Sequence, residues 1–205
     1  MNMSFTYWLG YTLFKSAARA FFSYRILNRE KLVEEGPVLI VANHQSFLDP
    51  PMIGIAYEDA IHYLARKTLF CGLFRRVLPR CCAIPVDQNA PDGHAVKTVI
   101  RLLKAGERVL VFPEGSRTPD GEIHDAMPGI AFILSKAPAP VQPLRIAGAY
   151  ESLPVGARRP RFRPITISVG DPVFFAFEAR KLHGRESLRK LADEVMDAIR
   201  ALPVE

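Results

Sequence analysis

The strongest constraint on the fold is a rhythm of short apolar runs, each too brief for a core helix and each closed by polar or turn-forming residues. Residues 38–42 follow Gly36-Pro37 and end at Asn43-His44. Residues 61–65, 83–86, 108–112, 141–144 and 165–169 repeat the pattern, and each reads as a buried strand. Helical patterns lie between them. Residues 69–78 mix apolar side chains with Arg75 and Arg76. Asp92 can cap a helix through Val96, Val99, Ile100 and Leu103 that stops at Gly106. Residues 129–136 form a short helix, and residues 186–202 a final one with Leu188, Leu191, Val195, Ile199 and Leu202 on one side. Strands alternating with helices predict an α/β fold: a two-layer or sandwich arrangement of helices around a central mixed, partly parallel sheet. In such sheets sites gather beyond the carboxyl ends of strands, where both polar clusters of this chain fall, at 43–49 and 113–118.

Composition narrows the partners. The 205 residues are enough for one domain, and the formal charge of +6 favours anionic ligands or surfaces. Nucleic acid is excluded as a partner, because no finger, helix-turn-helix or aromatic-basic strand signature is present. Cys71, Cys81 and Cys82 do not make a disulfide framework and read as buried free thiols. His62, His94, His124 and His183 lack metal-ligand spacing, and no glycine-rich nucleotide loop occurs, so neither a metal nor a bound cofactor is expected.

The first 27 residues are dense in aromatics from Phe5 to Tyr24, carry Lys15, Arg19 and Arg25, and contain no acid. Charges interrupt the apolar stretch too early for a spanning helix. Leu9, Leu13, Ala17, Ala20, Tyr24 and Leu27 share one side of a helical wheel, opposite Lys15 and Arg19. This pattern predicts an amphipathic interfacial helix over 1–27 on an anionic membrane surface, followed by a catalytic domain over 28–205. A helix packed on the domain's own core is the alternative. The location expected is peripheral or monotopic, at the cytoplasmic face of the cell membrane. Arg158, Arg159, Arg161 and Arg163 form a second basic segment, suited either to lipid headgroups or to a solvated loop.

In the first polar cluster, His44 leaves a strand end and Asp49 follows after one tight turn. A carboxylate there can hold Nδ1 and leave Nε2 free to take a proton from an alcohol. This is the base half of a hydrolase triad, with the substrate hydroxyl standing in for the protein nucleophile. Ser46 is too close within the turn to act as nucleophile and reads as turn support. In the second cluster, Gly115 permits backbone N–H groups to converge and Arg117 offers a planar fork to phosphate, with Glu114 beside it to orient Arg117 or meet a hydroxyl. Arg66-Lys67, with Arg75, Arg76 and Arg80, add positive charge suited to the phosphates of an acceptor or an acyl carrier.

Asn43, His44, Ser46 and Asp49 match an NHxSxxD block, and residues 112–118 read FPEGSRT. In that order the two resemble the glycerolipid acyltransferase (PlsC-like) family, over roughly residues 36–175. The resemblance implies a glycerol-3-phosphate acyltransferase-like fold, with His44 as base and Asp49 orienting it. It implies that Glu114, Gly115, Ser116 and Arg117 bind the acceptor phosphate, and that Lys67 holds the family's basic position after the second strand. Residues 141–143 resemble the fourth block, on the acyl-chain side. The implied reaction moves a long acyl chain from acyl-CoA or acyl-carrier protein to the hydroxyl of a lyso-glycerophospholipid, chiefly 1-acyl-sn-glycerol-3-phosphate. Cys82, Pro85 and Gln88 depart from the second block, where Arg80 stands in for the missing Arg, and Ala126 and Met127 are neutral where the family is often basic. A different lyso-lipid such as a lyso-ornithine lipid, a thioesterase or lipase-like hydrolase, and a non-catalytic lipid-binding protein are the other readings.

Overall fold

The structure, a computed structural model, describes residues 4–87, 93–137, 139–175 and 185–204. Asp92, Gln88 and His183 lie outside them. The elements run α1 (Phe5–Phe22), β1 (Arg25–Leu27), β2 (Val38–Ala42), α2 (Asp49–Gly54), β3 (His62–Arg66), α3 (Phe74–Arg80) and β4 (Ala83–Val86). They continue with α4 (Gly93–Lys104), β5 (Arg108–Val111), α5 (Gly129–Lys136), β6 (Val141–Ala147), α6 (Ala149–Ser152), β7 (Thr166–Val169) and α7 (Arg185–Arg200).

The strands form one sheet in the order β1-β7-β6-β2-β5-β3-β4. β6, β2, β5, β3 and β4 are mutually parallel, whereas β7 runs antiparallel to β6 and carries β1 parallel to itself. A strand buried on both faces must be apolar throughout, and β2 is, as Val-Leu-Ile-Val-Ala with every residue buried. Its side chains alternate between two cores. Val38, Ile40 and Ala42 join Ala18, Phe22, Met52 and Tyr57 on the face covered by α1 and α2. Leu39 and Val41 join Val99, Leu103, Ile130, Leu134, Val195 and Ile199 beneath α4, α5 and α7. The sheet is therefore sandwiched between two helical layers, and parallel pairing places the carboxyl ends of β2, β5 and β3 along one edge.

Three local expectations change. Helix α1 stops at Phe22, where Ser23 turns with φ 43°, and residues 25–27 leave it to pair with β7. Residues 67–69 form a 3-10 turn and the helix begins only at Phe74, with Gly72 at φ 50° between them. Cys71 is exposed and Cys81 and Cys82 are half-buried, so the thiols are free but not buried in the core. Desolvation still pushes the Cys82 thiol up to about 11, which keeps it protonated.

Candidate active site

β2 delivers Asn43 and His44 to the carboxyl edge of the sheet, and the chain turns at once into α2, whose first residue is Asp49. Asp49 is fully buried. Its Oδ2 lies 2.7 Å from His44 Nδ1, and it accepts the backbone N–H of Gln45 at 2.6 Å and of Ser46 at 2.7 Å. The carboxylate therefore organises the turn that carries it and holds the imidazole at the same time. The Ser46 hydroxyl donates to Leu153 O at 2.8 Å and accepts from Leu48 N at 3.2 Å, which is turn support as expected. Asn43 ties the end of β2 to β6, donating to Ile146 O at 2.9 Å and accepting Ile146 N–H at 2.8 Å.

The neighbouring strand β5 brings the second cluster alongside. Thr118 N–H donates to His44 O at 2.9 Å, while His44 N–H donates to Glu114 Oε1 at 2.7 Å. His44 is thus clamped by its own backbone from both sides. The Phe112 ring lies under the imidazole at a centroid distance of 3.9 Å and an angle of 14°. With Nδ1 on Asp49 and one ring face on Phe112, the free nitrogen is Nε2.

Two cavities meet at His44. The larger, about 560 Å³, is lined among others by Phe47, Arg66, Leu69, Phe74, Ser116 and Arg117. The smaller, about 240 Å³, is mostly apolar and runs between Phe112, Met127, Ile130 and Ile133. In the larger cavity the Arg117 guanidinium stacks on the Phe47 ring, 3.6 Å from its centroid. Arg117 Nη1 is buried without a hydrogen-bond partner among the described residues. Desolvation, and then Arg66 nearby, lower the Arg117 pKa, and the Asp49 carboxylate partly opposes that fall. Gly115 turns with φ 74°, and a Cβ there would meet Met127 Cγ at 3.0 Å.

A sequence model of the acyltransferase family matches residues 23–147, which contain both clusters. The chain belongs to the acyltransferase family. The 1-acyl-sn-glycerol-3-phosphate acyltransferase of Bacillus subtilis is 30% identical over 183 residues, covering 87% of each chain. The enzymes of that name from Streptococcus pneumoniae and Pseudomonas aeruginosa are 31% and 28% identical. They cover 54% and 70% of this chain, and 41% and 57% of their own lengths. The crystal structure of the 1-acyl-sn-glycerophosphate acyltransferase PlsC from Thermotoga maritima superposes with a TM-score of 0.73 at 25% identity, over 94% of this chain and 76% of that one.

The acyltransferase brings His44, Asp49, Gly115, Ser116 and Arg117 together around the cavities, but not every residue singled out from the sequence. Lys67 and Arg80 are exposed and lie outside the cavity lining, whereas Arg66, one residue before Lys67 and also exposed, is part of it. Arg80 instead donates to Arg76 O at 2.9 Å. Glu114 is buried, and its two oxygens accept His44 N–H and, at 3.1 Å, His124 N–H. Both are thus engaged by backbone, and no contact from Glu114 to Arg117 is seen among the described residues. Glu114 staples the two loops of the site. Burial raises its pKa, and the two backbone donors partly oppose that rise. Phe47 and Phe112 were not singled out from the sequence; Phe112 stands inside the FPEGSRT block, whereas Phe47 carries no local signal of its own, and Arg66 was read only as positive charge beside Lys67. Among the described residues no group of three side chains is placed to hold a metal ion.

Proposed function

We infer that this acyltransferase moves a long acyl chain from a thioester, acyl-CoA or acyl-carrier protein, to the free hydroxyl of 1-acyl-sn-glycerol-3-phosphate, yielding phosphatidic acid. The observation that carries this reading is the His44–Asp49 pair at 2.7 Å, opening into a cleft whose wall holds the unpartnered Arg117 Nη1. Relatives bearing that enzyme name support the acceptor. Arg117 and Arg66 take the acceptor phosphate, Arg117 through a planar fork already aligned by Phe47. His44 Nε2 removes the hydroxyl proton as the oxygen attacks the thioester carbonyl. Asp49 stabilises the imidazolium so formed. Collapse of the tetrahedral adduct breaks the carbon–sulfur bond, and the departing thiolate recovers the proton from His44. The imidazole carries the one proton in transit, and no cofactor enters the scheme.

The acceptor is amphiphilic, so the enzyme works at a lipid surface. No helix among the described residues is long and apolar enough to cross a membrane. Of the stripe expected to meet the interface, Leu9, Leu13 and Ala20 are exposed, as are Trp8 and Phe21, whereas Ala17, Tyr24 and Leu27 are half-buried and Tyr7, Ala18 and Phe22 face the core. This distribution supports peripheral attachment through α1 at the cytoplasmic face, where acyl thioesters are found.

The test supplies purified protein with acyl-CoA or acyl-carrier protein and a panel of lyso-lipids, with products read by mass spectrometry. Acylated lysophosphatidate is the expected product, and His44→Ala should lower turnover by at least ~10²-fold. Free fatty acid without acylated lipid would identify a hydrolase instead.

A further inference from the structure

The segment between β3 and β4 has a character that acyl transfer at His44 does not require. From Lys67 to Arg80 it carries Lys67, Arg75, Arg76 and Arg80 and no acid. Its large apolar residues are open to solvent: Leu73 is 74% exposed, Phe74 58% and Leu69 37%. No ion pair to Arg75 or Arg76 occurs among the described residues. Exposed Leu and Phe beside unpaired Arg have no structural use in a protein surrounded by water.

Its place in the fold gives this composition meaning. Leu69, Phe74 and Leu78 line the cleft that holds His44, so the segment forms one lip of that cleft. Phe47 and Val155, 52% and 45% exposed, stand on the same lining. The carboxyl end of α3 touches the amino end of α1, where Ser4 Oγ donates to Arg80 O at 3.0 Å. Exposed Phe5 and Trp8 of α1 therefore lie on ground continuous with α3.

We propose that this lip, residues 67–80, is a second lipid-facing element that seats the cleft mouth on an anionic bilayer: Leu73 and Phe74 enter the acyl boundary while Arg75 and Arg76 hold headgroup phosphates. A membrane accepts protruding apolar side chains without shape complementarity, and its anionic surface complements the uncompensated Arg residues. An acidic carrier protein would satisfy the arginines but leave Leu73 and Phe74 in need of a matching pocket. Seated in this way, the cleft opens directly onto lipid, and an amphiphilic acceptor reaches His44 between Leu69, Phe74 and Phe47 without crossing water. This last step rests on the lyso-lipid reading; the docking itself does not.

The experiment uses the full chain with α1 intact and two variants that leave the cleft lining untouched, Leu73→Asp and the double variant Arg75→Gln/Arg76→Gln. Co-sedimentation with phosphatidylglycerol vesicles and with phosphatidylcholine vesicles reads docking without turnover. The double variant should lose about 30-fold in affinity for the anionic vesicles only. Leu73→Asp should weaken binding to both. Activity on long-chain lysophosphatidate held in vesicles should fall with docking, while activity on a short-chain lysophosphatidate that stays monomeric should remain within about twofold of the parent. Unchanged vesicle binding in both variants would overturn the proposal. So would unchanged vesicle binding together with a selective loss of transfer from acyl-carrier protein, which would assign the lip to a protein donor. A wild-type chain inactive on every lyso-lipid would remove the proposed acceptor and leave the vesicle result to stand by itself.

Discussion

Asp49 does two jobs with one oxygen, and they are separable by measurement. Oδ2 meets His44 Nδ1 and two backbone N–H groups, while Oδ1 is buried with no partner among the described residues. Asp49→Asn keeps the shape but exchanges a charged acceptor for a neutral amide, which removes the stabilised imidazolium and the fixed tautomer. Turnover should fall by about 10³- to 10⁴-fold with little change in KM, and chemical unfolding should show a loss of about 1–3 kcal/mol. Glu114 yields a prediction of a different kind. Its pKa is raised above the ordinary 4.5 mainly by burial, so the folded protein takes up this proton at a higher pH than the unfolded chain does. Its contribution to stability is therefore greatest at acid pH and declines as pH rises through the raised value. Protonation, however, puts an O–H where a backbone N–H must be accepted. The part of the pH dependence of stability that comes from Glu114 should be lost in Glu114→Gln, read as urea unfolding across the acid range. The His44–Asp49 pair was legible in the sequence because five residues and one turn contain it. Arg66 was legible only as positive charge shared with Lys67, since choosing between them required knowing that the strand ends on Arg66 and the next residue opens a 3-10 turn facing solvent.

At the scale of elements, the parallel core was readable because each strand is a local apolar run. β1 was hidden: its three residues continue an aromatic and basic helix pattern, and its partner β7 begins at Thr166, so only tertiary pairing defines it. The same long-range logic governs the glycines at loop junctions. Gly148 links β6 to α6 at φ 85°, and a Cβ there would sit 1.9 Å from Pro164 O, backbone that leads into β7. Gly36 precedes β2 at φ 75° with open space around it. Gly36→Ala carries only the conformational cost, about 1 kcal/mol. Gly148→Ala must also displace the strand that anchors β1, and urea unfolding should show a loss of more than about 2 kcal/mol. Similar losses for the two variants would mean that Pro164 moves freely and that the β6–β7 junction is softer than its packing indicates.

For the whole molecule, the division at residue 27 between a surface helix and a catalytic domain describes one face of α1 and misses the other. The outward face, Leu9 and Leu13, is free to meet lipid. The inward face is part of the fold: Tyr7, Ala18 and Phe22 are buried, Ile165 N–H donates to Phe22 O at 2.9 Å, and Tyr24 Oη donates to Met52 O at 2.8 Å. A helix so placed fixes the orientation of the cleft relative to any surface it lies on, because it cannot swing away from the sheet without exposing that core. Deleting residues 1–27 should therefore act as a folding defect before it acts as a binding defect. It strips two aromatic side chains from the core at about 1.5–3 kcal/mol each and removes the strand beside β7. Leu9→Asp/Leu13→Asp should leave thermal unfolding nearly unchanged while lowering affinity for phosphatidylglycerol vesicles, and added salt should weaken parent binding further. If the deletion variant instead unfolds at the parent's temperature and only releases vesicles, α1 is a detachable anchor and the rigid seating of the cleft is lost with it.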